Sequence, residues 1–294
     1  MYTERFISYL EKEKKMAINS QEAYKRDVLE FIDFERSRGL DNVLETSSTE
    51  IVAYLHNLKS TGKSSATVNR KLASVRAFFN YLAGEGLVQE NPTMGIKSPR
   101  IERKEIEYLS LEEIDILLET PDNSLKGRRD KAILDFLYAT GIKVSELIEA
   151  NIEDINFRMG FITCSSETNK ARIIPLGRPA RAALEDYVYE VRNTMLKGNT
   201  DERALFINYY GKRITRQGLW KILKEWGEKA GIKNKLTPNS LRNSFAVHML
   251  QNGADLKSLQ ELMGHEDITA TQMYLSATKN RIKDVYDRAH PRAK

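Results

Sequence analysis

Apolar residues recur at three- and four-residue spacing in four successive blocks: Phe6, Ile7 and Leu10; Tyr24, Val28, Phe31, Ile32 and Phe34; Ile51, Val52, Leu55 and Leu58; Val68, Leu72, Val75, Phe78, Phe79 and Leu82. This is the period of helices that bury one face, so the first third of the chain is predicted to be four helices. Small hydroxyl residues mark their starts: Ser20 before Gln21 and Glu22, Ser47 or Ser48 with Glu50 just beyond, and Ser64 or Ser65. Gly84, Gly86, Asn91 and Pro92 end the fourth. Residues 91–108 carry two prolines, many charges and little periodicity, the pattern of a connector between a domain at 1–90 and another at 109–294.

The second domain opens on Ser110-Leu-Glu-Glu113, a capping box, and continues through an apolar helix around residues 132–139. Residues 160–164 and 172–176 read as two short strands around a polar turn, and Ala204-Leu-Phe-Ile207 as a third. Everything beyond is predicted helical. The fold class expected is therefore mainly α, with a small antiparallel sheet in the second domain.

Composition narrows the function. No apolar run approaches the roughly 18 residues of a membrane span, and charges throughout the first fifteen residues exclude a signal peptide, so a cytoplasmic location is expected. Cys164 is the only cysteine, which rules out an internal disulfide and a thiolate zinc site and suggests a buried structural thiol. The net charge of +5 is mild, but its distribution is not. Between residues 212 and 242 stand Lys212, Arg213, Arg216, Lys221, Lys224, Lys229, Lys233, Lys235 and Arg242, against Glu225 and Glu228 alone. Such a run is either a solvated face or a nucleic-acid surface.

The ordered motifs decide between them. The chain contains YATGIKVSEL at 138–147, a hairpin ending NKARIIPLG, T-P-x-x-L-R at 237–242, L-M-G-H at 262–265, T-x-T-Q-x-Y ending at Tyr274, and the tail KDVYDRAHPRA. In this order and spacing they resemble the tyrosine recombinase (phage integrase) family, most closely its bacterial Xer-type members, over essentially the whole chain. The resemblance implies an N-terminal four-helix SAM-like core-binding domain and a C-terminal α+β catalytic domain that together clamp duplex DNA. It also implies cleavage by a tyrosine hydroxyl, giving a 3′-phosphotyrosine, with no metal and no cofactor. The fourth helix would offer Thr67, Asn69, Arg70, Lys71, Ser74 and Arg76 to DNA; the second domain would offer Lys170, Arg172, Arg213, Arg216, Gln217 and Lys221. A terminal helix around residues 281–288 would contact a second protomer or a second recombinase on DNA, unless Ile282, Val285 and Tyr286 close the protein's own core.

Carried over position by position, the resemblance makes Tyr274 the nucleophile, Arg242 the second phosphate-binding arginine and His265 the later histidine. Three positions depart from the family. Lys143 stands where the first arginine belongs, keeping the charge but losing the two-pronged donor. Glu167 stands where the hairpin lysine acts as general acid, reversing the charge, and Asn239 replaces a histidine and cannot shuttle a proton. Losing one pre-organised donor costs about 10²–10³ in rate, so the set reads as impaired in cleavage. The alternative is an active recombinase in which Lys143 and Lys170 compensate.

Overall fold

The computed structural model describes residues 2–100, 105–166, 169–199, 201–232, 235–265 and 267–278; the side chains of 165, 166, 169, 170, 276 and 278 are not among those described. The chain divides into two units, Met1–Lys104 and Glu105–Lys294.

The first unit is the expected set of four helices, α1 (Tyr2–Lys12), α2 (Ile18–Ser37), α3 (Ser48–Ser60) and α4 (Ser65–Gly84). Their apolar stripes meet in an aromatic core, with Phe6 edge-on to Phe78 at 5.3 Å and Phe31 edge-on to Tyr54 at 5.1 Å. Ser47 and Glu50 cap α3 reciprocally, and Ser64 Oγ accepts the Thr67 N–H at 3.2 Å at the start of α4. The start of α2 differs from expectation: Ser20 lies inside the helix, which begins at Ile18 behind an Ala17 cap without a side-chain bond. Gln21 Nε2 instead reaches back to the Met16 carbonyl at 2.7 Å and holds the entry. Part of the expected connector belongs to this unit, because Arg76 donates to Ser98 Oγ at 3.2 Å and to the Ile96 carbonyl, and Asn69 Nδ2 to the Pro99 carbonyl at 2.7 Å.

The second unit runs α5 (Leu111–Glu119), α6 (Leu125–Thr140), α7 (Val144–Glu149), β1 (Ile155–Asn156), β2 (Phe161–Ser166), β3 (Asn169–Pro175), α8 (Arg178–Asp186), α9 (Arg192–Leu196), α10 (Arg216–Lys229), α11 (Pro238–Gln251), α12 (Leu256–Met263) and α13 (Thr269–Gln272), then a 3₁₀ turn, Met273–Thr278. The capping box at Ser110 and Glu113 is formed. The sheet is antiparallel in the order β1-β2-β3, with Cys164 opposite Arg172. Cys164 is buried, and burial pushes its thiol up to about 12, the behaviour of an inert structural cysteine.

The third strand is β1, not residues 204–207, which make only isolated bridges at Ala204 and Ile207. The reason lies in the competing partners of their backbone. Arg192 donates to the carbonyls of Glu202 at 2.6 Å and Ala204 at 2.8 Å, and Tyr187 Oη accepts the Ile207 N–H at 3.1 Å, so groups that a ladder would use are taken by side chains.

Two features of this unit place the site. α11, capped by Thr237 with Pro238 in its first turn, is buried along most of its length and carries Arg242 inward. Gly141 ends α6 in the left-handed conformation (φ 56°), where a Cβ would lie 2.3 Å from the Phe245 ring, so α6 and α11 can meet only at a glycine. Gly141→Ala is therefore expected to lower the stability of the unit by about 2–4 kcal/mol, through backbone strain and overpacking together. An unchanged urea midpoint would contradict this.

Candidate active site and nucleic-acid interface

The site is organised around the carbonyl end of α12. Helix C-termini carry unsatisfied carbonyls and a partial negative charge. Three consecutive carbonyls here are each met by a cation from a different element: Leu262 by Arg172 Nε of β3 at 2.7 Å, Met263 by Arg242 Nη2 of α11 at 2.6 Å, and Gly264 by Lys143 Nζ, just before α7, at 3.2 Å. Arg242 also donates to the Gly141 carbonyl, so it joins the ends of two helices. Gly264 is left-handed (φ 61°), and a Cβ on it would lie 2.8 Å from the Arg172 guanidinium.

Glu146 is the carboxylate that pairs within this group among the described residues. It takes both prongs of Arg172, at 2.7 and 2.8 Å, and accepts the Lys143 N–H at 2.9 Å. Burial pushes its carboxyl up, but Arg172 and the Lys143 N–H outweigh burial and hold it below the usual carboxylate range. Among the described residues, three cations face this one carboxylate, an excess of positive charge that suits a phosphodiester.

His265 follows directly on this helix end, and its neighbours fix its state. Arg242 Nη2 lies 3.0 Å from Nε2, and a guanidinium can only donate, so Nε2 carries no proton. The proton is therefore on Nδ1, which donates to Thr271 Oγ1 at 2.8 Å. Burial, reinforced by Arg242, Lys143 and Arg172, pulls the imidazole down to about 4. Tyr274 is buried, its hydroxyl donating to Asn243 Oδ1 at 3.1 Å; burial pushes the phenol up, and Arg242 pulls it back. Burial likewise lowers the pKa of Arg242, with Tyr274 acting the other way.

The structure thus brings Arg242, His265, Lys143, Arg172 and Tyr274 into one region. Asn239 is exposed on the first turn of α11. Glu167, the Lys170 side chain and residues 281–288 lie outside what is described. Several cations expected to face DNA have internal partners instead. Arg172 is held by Glu146, and Arg213 donates to the carbonyls of Ile148, Glu149 and Ala150 and to Asn151 Oδ1. Lys71 is buried between Asp27, at 3.2 Å, and Glu30, at 2.6 Å. Arg70 also pairs with Asp27 but keeps 45 % of its side chain exposed, whereas Asn69 and Arg76 bind the segment after α4, and Thr67 Oγ1 lies 2.9 Å from Ser64 Oγ. Ser74 donates to Asp27 at 2.9 Å. Arg216, Gln217 and Lys221 are exposed on α10. Glu146, Thr271 and Asn243 were not singled out by the sequence reading, although the first two lie inside its motifs.

The profile of the phage integrase family matches residues 107–281, and that of the phage integrase N-terminal SAM-like domain residues 3–86. The tyrosine recombinase XerD of Oceanobacillus iheyensis is 43% identical over 294 residues, covering 99% of this chain and 98% of its own. The chain belongs to the phage integrase family of tyrosine recombinases. Another member, the XerD of Listeria innocua, is 41% identical over 290 residues, with 98% of each chain covered. The fold of the family is seen in the XerH site-specific recombinase bound to a palindromic difH substrate in a post-cleavage complex, with a TM-score of 0.76, 20% identity, and 97% of this chain and 84% of that one covered.

For this family member the state of His265 is directly testable. In an NMR titration His265 is expected to titrate near pH 4 and to be protonated at Nδ1 at neutral pH. Because the folded pKa is depressed, the unfolded chain binds the proton first as pH falls. His265 thus withdraws stability between roughly pH 6.5 and its folded value and has no such effect above that window. An unshifted titration with the proton on Nε2 would contradict the geometry.

Proposed function

We propose that this recombinase homologue holds duplex DNA but cleaves it through Tyr274 slowly or not at all, and acts on DNA in an accessory or regulatory role. The observation that carries the reading is the engagement of Lys143. Its ammonium, where the resemblance calls for an arginine fork, donates to the Gly264 carbonyl. A point charge so placed draws a phosphate inward without fixing two of its oxygens. The exposed Asn239 supplies no titrating group, and Glu167 brings a carboxylate to the general-acid position of the sequence. One observation favours the alternative, an active enzyme: Lys143 is near enough to lower the protonation of His265, so its charge still reaches the pocket.

Binding to DNA is supported by the exposed Arg216, Gln217 and Lys221 on α10, by Arg70 on α4 and by the DNA-bound state of XerH. The same reading assigns residues 281–288 to contact with a second protomer or recombinase on DNA, and places the protein in the cytosol.

A nicked suicide duplex, selected by binding from a random library, tests the chemistry. The wild type is expected to accumulate the covalent Tyr274 adduct at least ~10²-fold more slowly than the variant Lys143→Arg, Glu167→Lys, Asn239→His. Equal rates would favour the active enzyme. A salt series tests the interface: Arg216→Ala and Lys221→Ala are each expected to reduce the slope of log affinity against log salt by about 1, and Lys71→Ala to leave it unchanged. A change at Lys71 as large as at Lys221 would refute the internal neutralisation of Lys71.

A further inference from the structure

Tyr274 is 3% exposed and packs with Phe245, Val247, Leu259 and Met263. Its hydroxyl donates to Asn243 Oδ1 at 3.1 Å, and Asn243 Nδ2 donates to the main-chain carbonyl of Glu107 at 2.9 Å. The two bonds fix one another. A reversed amide would set its oxygen against the Glu107 carbonyl, so Oδ1 must face the phenol, and the phenol must then be the donor. Ile106 and Tyr108, on either side of Glu107, pack against the same apolar cluster as Tyr274. The phenol is therefore tied, through one side chain, to the main chain just after the boundary between the units.

This arrangement bears on the chemistry. A tyrosine hydroxyl attacks phosphorus only as its proton leaves, and an amide oxygen is not a base in water near neutral pH. The lone pair of His265 Nε2 faces Arg242, and its other ring nitrogen faces Thr271. Among the described residues, the group that receives the Tyr274 proton is thus one that cannot remove it.

We infer that Asn243 is a positioning residue that latches Tyr274 in a protonated, inward pose and couples the phenol to the main chain at Glu107. This deepens the proposed function and rests on its reading of Tyr274 as the nucleophile position. Movement of residues 106–108 would break the Asn243–Glu107 bond and leave the amide that holds the phenol without its anchor, whereas charge replacement at Lys143 or Glu167 would touch neither bond.

Nitration by tetranitromethane, read tyrosine by tyrosine by peptide mass spectrometry on the full-length protein without DNA, tests the latch. Tyr209 and Tyr210, 69% and 75% exposed, serve as fast references, and the buried Tyr54 and Tyr187 as guards against general loosening. Asn243→Leu removes both bonds at similar volume, and is expected to raise nitration of Tyr274 roughly tenfold, the increase in opening that loss of one hydrogen bond permits, with Tyr54 and Tyr187 unchanged. The latch is overturned if Tyr274 reacts no faster in the variant, or if Tyr54 and Tyr187 rise in step with it. Should Asn243→Leu not fold, Asn243→Ser, too short to reach either partner, is read in the same way. As the assay contains no DNA, its failure leaves the cleavage and salt results standing, and their failure leaves the latch untouched.

Discussion

The second unit depends on the neutralisation of one helix end. Three cations converge on the last carbonyls of α12, and burying Arg242 there would be costly if those carbonyls did not face it. The demand propagates outward. Gly264 must lack a side chain for Arg172 to lie against it, and Gly141 must lack one for α11 to bring Arg242 within reach of α6. Glu146 must be buried to pair with Arg172, and His265, pressed by three positive charges, must stay neutral. α7, β3, α11 and α12 meet here because their charged residues complete one another.

The same constraint bears on the proposed split between binding and chemistry. A pocket with more positive charge than its carboxylate can offset attracts a phosphate whichever cation supplies the excess, so replacing an arginine by Lys143 leaves attraction largely intact. Orientation is another matter, since it depends on paired donors of fixed geometry, and an ammonium such as that of Lys143, which donates to the Gly264 carbonyl, is not a planar fork. The exposed Arg216 and Lys221 of α10 and Arg70 of α4 are not among the cations that meet the end of α12, so exchanging one cation of the pocket for another leaves them in place. Asn243 adds a restraint of a different kind, acting on the pose of the phenol rather than on the charge around it.

Helices of the first unit, the caps at Ser47, Ser64 and Ser110, and the order Arg242, His265, Tyr274 were legible because each leaves a local signature of period, cap residue or spacing. The partners of the cations were not. Lys71, Arg172 and Arg213 read as surface charge, and only folding shows that Asp27, Glu146 and the carbonyls at the end of α7 take them. Residues 204–207 have the composition of a strand, yet Arg192 and Tyr187, at other places in the chain, claim their backbone groups. Asn243 carried no signal at all, since an amide between two neutral partners follows no periodicity.

The central claim is that Tyr274 is kept without being used for strand cleavage. The most direct measurement compares wild type with Tyr274→Phe for occupancy of a selected DNA site and for the protein's effect in its own cell. Equal occupancy and equal effect are predicted. Equal occupancy with loss of the effect in the phenylalanine variant would contradict the account and restore this chain to the active recombinases.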